Sequence, residues 1–145
     1  MCEQAKDPDS AFDAPLEIAV DPSLPSVKRM RKLTSGHMFA MYDRMNRGRV
    51  LFANTFVVAP EAQGQGVGSA LLRWATDLAD RNGASAWIHL SDNIGGMRAL
   101  EKNGFREVNS LAFDLDQYAT KPKPDGGKWG VYTFRYFHRD VQSPK

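Results

Sequence analysis

Seven consecutive residues, Gln63-Gly64-Gln65-Gly66-Val67-Gly68-Ser69, carry the most specific chemical signal in the chain. An apolar run, Phe56-Val57-Val58-Ala59-Pro60, stands before them, and Ala70-Leu71-Leu72 opens a helical pattern after them. That order puts a glycine turn at the start of a helix, where the first backbone N–H groups lack intrahelical partners and the peptide dipoles add about half a positive charge. Such a turn binds anions. Glycines at 64, 66 and 68 let a ligand approach the backbone because no Cβ intervenes, so the expected guest is a phosphate or pyrophosphate.

Three phosphate-binding patterns compete for this turn. The P-loop needs a lysine followed by Ser or Thr after its last glycine, but Gly68 is followed by Ser69-Ala70. The dinucleotide pattern G-x-G-x-x-G needs a third glycine where Ser69 stands. A third pattern, Q/R-x-x-G-x-G/A between a strand and a helix, is satisfied at every fixed position by residues 63–68.

The elements that must hold the turn can be read from periodicity. Residues 49–58 are rich in Val and Phe and predict a buried strand. Leu71, Trp74, Ala75, Leu78 and Ala79 recur at helical spacing and predict a stripe packed on a sheet. Asn82-Gly83 ends that helix, and residues 84–90 predict a second strand, parallel to the first because the crossover is helical. A further helix is expected over residues 93–102, capped by Asp92 or Asn93 and stopped at Asn103-Gly104, with Gly95 and Gly96 in its first turn. Residues 105–115, bent near Asn109-Ser110, and residues 131–137 supply two more strands. Upstream, residues 16–20 read as a short strand and residues 26–46 as one broken helix or two short ones, interrupted at Ser35-Gly36. The basic group Lys28, Arg29, Arg31 and Lys32 reads as a solvated helix face, and the methionines of that stretch as core filler. The result is an α/β chain with a mixed sheet around a parallel βαβ core, organised as a tail at residues 1–15 and a single domain at residues 16–145.

The totals set bounds on function. A chain of 145 residues suits one domain. A net charge of +2, with no dense Lys/Arg stripe, argues against nucleic acid. Cys2 alone makes neither an internal disulfide nor a zinc cluster. No apolar run approaches the roughly 20 residues of a membrane span, and the first residues lack the pattern of a secretory signal, so a cytoplasmic protein with a small-molecule partner is expected.

With those elements in place the sequence resembles the GNAT N-acetyltransferase superfamily. Members commonly read V-x-P-x-x-Q-G-x-G-x-G-x-x-L-L, which Val58 to Leu72 matches throughout, and N-x-x-A-x-x-L-Y-E-K-x-G-F, which Asn93 to Phe105 echoes. Ala79-Asp80 and the long loop before the last strand are similar to fungal members. The resemblance implies acetyl-CoA as acyl donor, with its pyrophosphate on the loop of Gln63, Gly64, Gln65, Gly66, Val67, Gly68 and Ser69. It implies that Val57 and Val58 pair with the pantetheine arm and polarise the thioester, with Asn93 as a further cofactor-binding residue. Direct acyl transfer to a small-molecule amine follows, driven by alignment and by a fixed oxyanion donor.

Two departures from the family pattern stand out. The tyrosine that usually serves as general acid falls at Leu100, and the part preceding the glycine-loop strand is short. The short front predicts an exposed sheet flank, covered either by a homodimer partner or by a rebuilt N-terminal arm. Leu100 keeps two alternatives open: a fold of this type turned to other chemistry in secondary metabolism, or a CoA-binding module without turnover. Candidate catalytic groups are His89, in phase with Trp87 and Ser91 on the second strand, and Asn54 in the first. Tyr132 and Tyr136 read as core or pocket wall, His37 and His138 as peripheral, and Glu61 is rejected as a base because its charge would repel the pyrophosphate. No metal site is expected.

Overall fold

The computed structural model describes residues 10–54, 56–91 and 94–143. Its centre is one mixed sheet of four strands in the order β1-β2-β4-β3, formed by β1 (Val50–Ala53), β2 (Ser85–Ser91), β3 (Arg106–Asp114) and β4 (Val131–Arg139). β1 and β2 are parallel, as the intervening helix α3 (Val67–Arg81) requires; β4 runs antiparallel to both β2 and β3. The register of β3 against β4 shifts between Glu107 and Asn109, a bulge at the bend expected near Asn109-Ser110.

Because side chains alternate along a strand, each face of the sheet carries its own core. On one face α3 and α4 (Ile94–Lys102) cover Ala86, Ile88 and Phe137 with Leu72, Ala79 and Leu100. On the other, Met41 and Met45 of α2 (Ser26–Met45) pack on Trp87, Val108 and Tyr136. The Trp87 indole N–H donates to Asn46 Oδ1 at 3.0 Å, which satisfies the polar end of a buried ring.

Several sequence expectations need correction. Residues 16–20 form no strand; they belong to an extended arm crossing α2. α2 is one unbroken helix of 20 residues, with Gly36 inside it. A Cβ at Gly36 would stand 2.8 Å from Ile18 Cγ2, so the glycine that suggested a break is instead the place where the arm lies against the helix. Part of the segment read as a tail is docked. Residues Ser10–Asp13 form α1, the Phe12 ring lies 4.8 Å from that of His138, and Arg44 donates to the carbonyls of Ala14 and Pro15. β1 ends at Ala53, five residues before the expected limit.

α3 is rotated from its expected orientation. Leu72, Thr76 and Ala79 are its buried residues, whereas Trp74 is 62% exposed and Leu71 is exposed beside it. At its start the helix comes close to the preceding segment, where a Cβ on Gly68 would sit 3.2 Å from Phe56 Cζ.

Gly36→Ala should separate the two roles of that glycine. Alanine favours the helix by about 1 kcal/mol, while its methyl displaces Ile18. Protease cleavage within residues 14–20 is expected to accelerate severalfold, with global unfolding changed by less than about 1 kcal/mol. Unchanged cleavage would show that the arm does not depend on this contact.

Candidate functional site

The glycine turn builds a cavity of about 420 Å³. Chain direction reverses through a short turn at Pro60–Ala62, then through Gly64 and Gly66 at φ 75° and 81°, left-handed conformations that favour glycine. Gly66 caps α3, and the first intrahelical bond runs from Ala70 N–H to its carbonyl at 3.0 Å. The N–H groups of residues 67–69 precede that bond and are the orphan donors of the helix start.

Two side chains brace the loop. Gln63 Nε2 donates to Val58 O at 3.0 Å and Gln65 Nε2 to Glu61 O at 2.8 Å. The glutamine amides are therefore spent on fixing the turn, leaving the backbone to meet a ligand. Val58, Gln63, Gly64, Gly66, Val67, Gly68 and Ser69 all line the cavity. Gln65 does not, and Val57 points outward at 76% exposure. Asn93 lies outside the described residues.

Other lining residues were missed by the sequence reading. Phe56 and Leu90 contribute apolar wall, and Gly95, Gly96 and Ala99 bring the first turns of α4 against the loop. Two glycines in one helical turn, each costing about 1 kcal/mol against alanine, are the signal that could have placed α4 against the loop. Leu90 could have been found from strand alternation, since it must point opposite to His89. Leu100 is 1% exposed in the core beneath α3 and α4 and presents nothing to the cavity.

The strands separate beside this cavity. β1 pairs with β2 only as far as Ala53↔Ile88, while β2 continues to Ser91, paired there with Phe134 of β4. His89 lies in the length of β2 beyond the last β1 pair, on the α2 face of the sheet. Its ring stacks 6.0 Å from Phe52 and lies tilted 6.3 Å from Tyr136, and burial lowers its pKa below the ordinary 6.5. The imidazole is thus neutral at pH 7, with a nitrogen able to take a proton. Asn54 is exposed just past β1 and is not among the residues that line the cavity.

The same face holds a buried pair that sequence reasoning placed wrongly. His37, expected at the periphery, is 3% exposed, and the Tyr136 hydroxyl lies 3.2 Å from its Nδ1. Burial, then the Arg44 charge, lowers the His37 pKa; burial, then Tyr42, raises that of Tyr136. Both groups are therefore neutral at pH 7, and the imidazole tautomer sets which of the two donates. His138, also expected at the periphery, is buried against Phe12. Among the described residues no group of three or more His, Cys, Asp or Glu side chains is placed to hold a metal, and no helix is long and apolar enough to cross a membrane.

A strand, a glycine turn and a helix start, set beside two diverging parallel strands, define a class of protein. The family model described as the acetyltransferase (GNAT) family matches residues 16–105, and the chain belongs to that family. Two solved structures are similar. The crystal structure of nourseothricin acetyltransferase is 28% identical at a TM-score of 0.47, with 65% of this chain and 51% of that one covered. The crystal structure of mosquito arylalkylamine N-acetyltransferase like 5b is 17% identical at a TM-score of 0.53, covering 95% of this chain and 64% of that one; it shows the fold. The chain thus spans between about half and two thirds of the length of these structures. No curated protein matches it.

Proposed function

We propose that the chain binds acetyl-CoA through its glycine turn and transfers the acetyl group directly to the amine of a small molecule. The observation that carries this reading is the cavity itself, framed by orphan N–H groups at the start of α3 and opening where β1 leaves β2. Its residues fit the donor: the N–H groups of residues 64–69 would hold the pyrophosphate, and Gly68, whose Cβ would already crowd Phe56, keeps the backbone accessible. Phe56, Val58, Leu90 and Ala99 would line the path of the pantetheine arm. When bound, acetyl-CoA supplies an activated thioester. The neutral His89 imidazole would take the proton from the attacking amine on the α2 face. Positioning and proton removal are then contributed by the chain.

Calorimetry with CoA and acetyl-CoA, followed by thiol release with an amine panel, tests the reading; neither binding nor release would sink it. His89→Gln is expected to lower kcat about 10²-fold with little change in KM for acetyl-CoA, since one acid or base contributes roughly 10²–10⁴ in rate. The pH profile gives the sign. His89 is active when neutral and its pKa is depressed, so kcat should hold as pH falls to 6.5 and decline only below it. A profile unchanged in the variant would remove His89 as the base.

A second reading, CoA binding without turnover, is favoured by one observation: the position usually occupied by an acidic tyrosine is a leucine sealed in the core. Tight CoA binding with no thiol release would select it. The proposal also includes a cytoplasmic homodimer, paired through β1, an end strand whose residues Val50, Leu51, Phe52 and Ala53 carry no charge to discourage pairing.

A further inference from the structure

Among the described residues no hydrogen bond fixes the His89 imidazole; burial alone shifts its pKa, with no charge or donor contributing. The torsion that turns such a ring is broad, and a misplacement of about 1 Å at a reacting group can cost 10²-fold in rate. A base at this position needs another means of orientation.

Aromatic rings supply it. β2 runs between β1 and β4, and each neighbour contributes one ring on the α2 face. Phe52 of β1 stacks 6.0 Å from the imidazole, and Tyr136 of β4, the cross-strand partner of His89, lies tilted at 6.3 Å. Phe52 is braced in turn by Trp87, stacked at 4.1 Å, and by Tyr42 at 5.0 Å. The imidazole therefore stands in a slot between two rings.

The Tyr136 wall is tethered. Its hydroxyl lies 3.2 Å from His37 Nδ1, and both residues are buried, so neither can exchange the other for water without opening the core. His37 belongs to α2, whose far end is fixed where Trp87 donates to Asn46. One hydrogen bond thus connects the helix, across 99 residues of sequence, to the ring beside His89. The groups that face the tether are Tyr42, which raises the Tyr136 pKa after burial, and Arg44, which adds to the lowering at His37. Both shifts favour the neutral forms, so the tether keeps its bond at pH 7.

We propose that Tyr136 and His37 are positioning residues for His89: the tethered phenol ring forms one wall of the slot that holds the imidazole in the orientation from which it takes the amine proton. This deepens, and rests on, the acetyl-transfer reading, in which His89 is the base.

Imidazole NMR, with the His89 signal assigned by its loss in His89→Gln, follows the titration of that ring without any need for turnover. Tyr136→Leu removes the wall and admits water, so the His89 pKa should rise towards the ordinary 6.5. In the same variant kcat should fall about tenfold with KM for acetyl-CoA unchanged, and the acidic limb of the kcat profile should move to higher pH with the imidazole. His37→Leu keeps the ring but cuts the tether, and should lower kcat about threefold. His37→Gln, whose amide can still bond the phenol, should recover most of that loss. Urea unfolding identifies the variants that fold; should Tyr136→Leu not fold, the two His37 variants decide. Folded variants that lose stability yet keep the parental kcat and the parental His89 titration would overturn the proposal, as would His37→Gln performing no better than His37→Leu. If the titration moves as expected but no amine is ever acetylated, the slot stands and the transfer reading fails.

Discussion

Gly66→Glu is expected to weaken CoA binding at least about a hundredfold, close to 2.7 kcal/mol, measured by calorimetry against the parent protein. Three effects add. Gly66 holds φ at 81°, where an L side chain costs roughly 1–2 kcal/mol. A glutamate there projects from the cap of α3 into the cavity that the turn lines. Its carboxylate then competes for the same orphan N–H groups and repels the pyrophosphate. Nothing lies within 4 Å of the added Cβ, so the chain has room to fold around the change. Gly48→Glu is the control, because Gly48 has φ 75° and open space but is absent from the cavity wall. It should leave CoA binding intact. Retained binding in Gly66→Glu would remove the turn as the CoA site.

Asp80→Ala should cost about 3 kcal/mol of stability, because removing the part-buried carboxylate strands the buried Arg139 guanidinium. Arg139 is 5% exposed and donates to both Asp80 oxygens, at 2.8 and 2.7 Å, while its Nε reaches Asn103 O at 3.0 Å. Asp80 also accepts from Gln142 N–H at 2.8 Å. One guanidinium thus ties the end of α3 to the turn after α4, the end of β4 and the segment that follows. Urea unfolding reads the loss, and Asp80→Leu combined with Arg139→Met should recover most of it. The Arg139 hydrogen bonds hold the Asp80 pKa below 3.8. The stabilisation is therefore complete above the ordinary carboxylate value and disappears as pH falls through the lower folded value. Parent and Asp80→Ala should converge in strong acid; a gap that persists there would show that the cost is packing, not charge.

How much of this was legible before the structure depends on the kind of signal. The turn at 63–69, the parallel βαβ order and the existence of the last two strands follow from local rules, since glycine placement and periodicity constrain the backbone directly. The rotation of α3 was hidden. Hydrophobicity favoured Trp74 as a buried residue, but the buried face is Leu72, Thr76 and Ala79, and which face packs depends on contacts with separate elements. His37 was misplaced for a similar reason: its partner Tyr136 is far away in sequence, and a lone histidine in a helix gives no sign of a distant phenol. Gly36 looked like a break because only the helix was in view, not Ile18 lying across it.

The order of strands has a consequence for biosynthesis. β4 is the last of the described strands in chain order yet sits inside the sheet, flanked by β2 and β3. Until residues 131–139 emerge from the ribosome, β2 has only a four-residue neighbour and β3 has no strand partner at all. The glycine turn can form early from local sequence, but the sheet beneath it must wait for the final strand to be inserted. During that interval two strand edges stay open to incorrect pairing. The nascent protein is thus most exposed to aggregation just before residues 131–139 emerge, when its other strands are made and the sheet is incomplete.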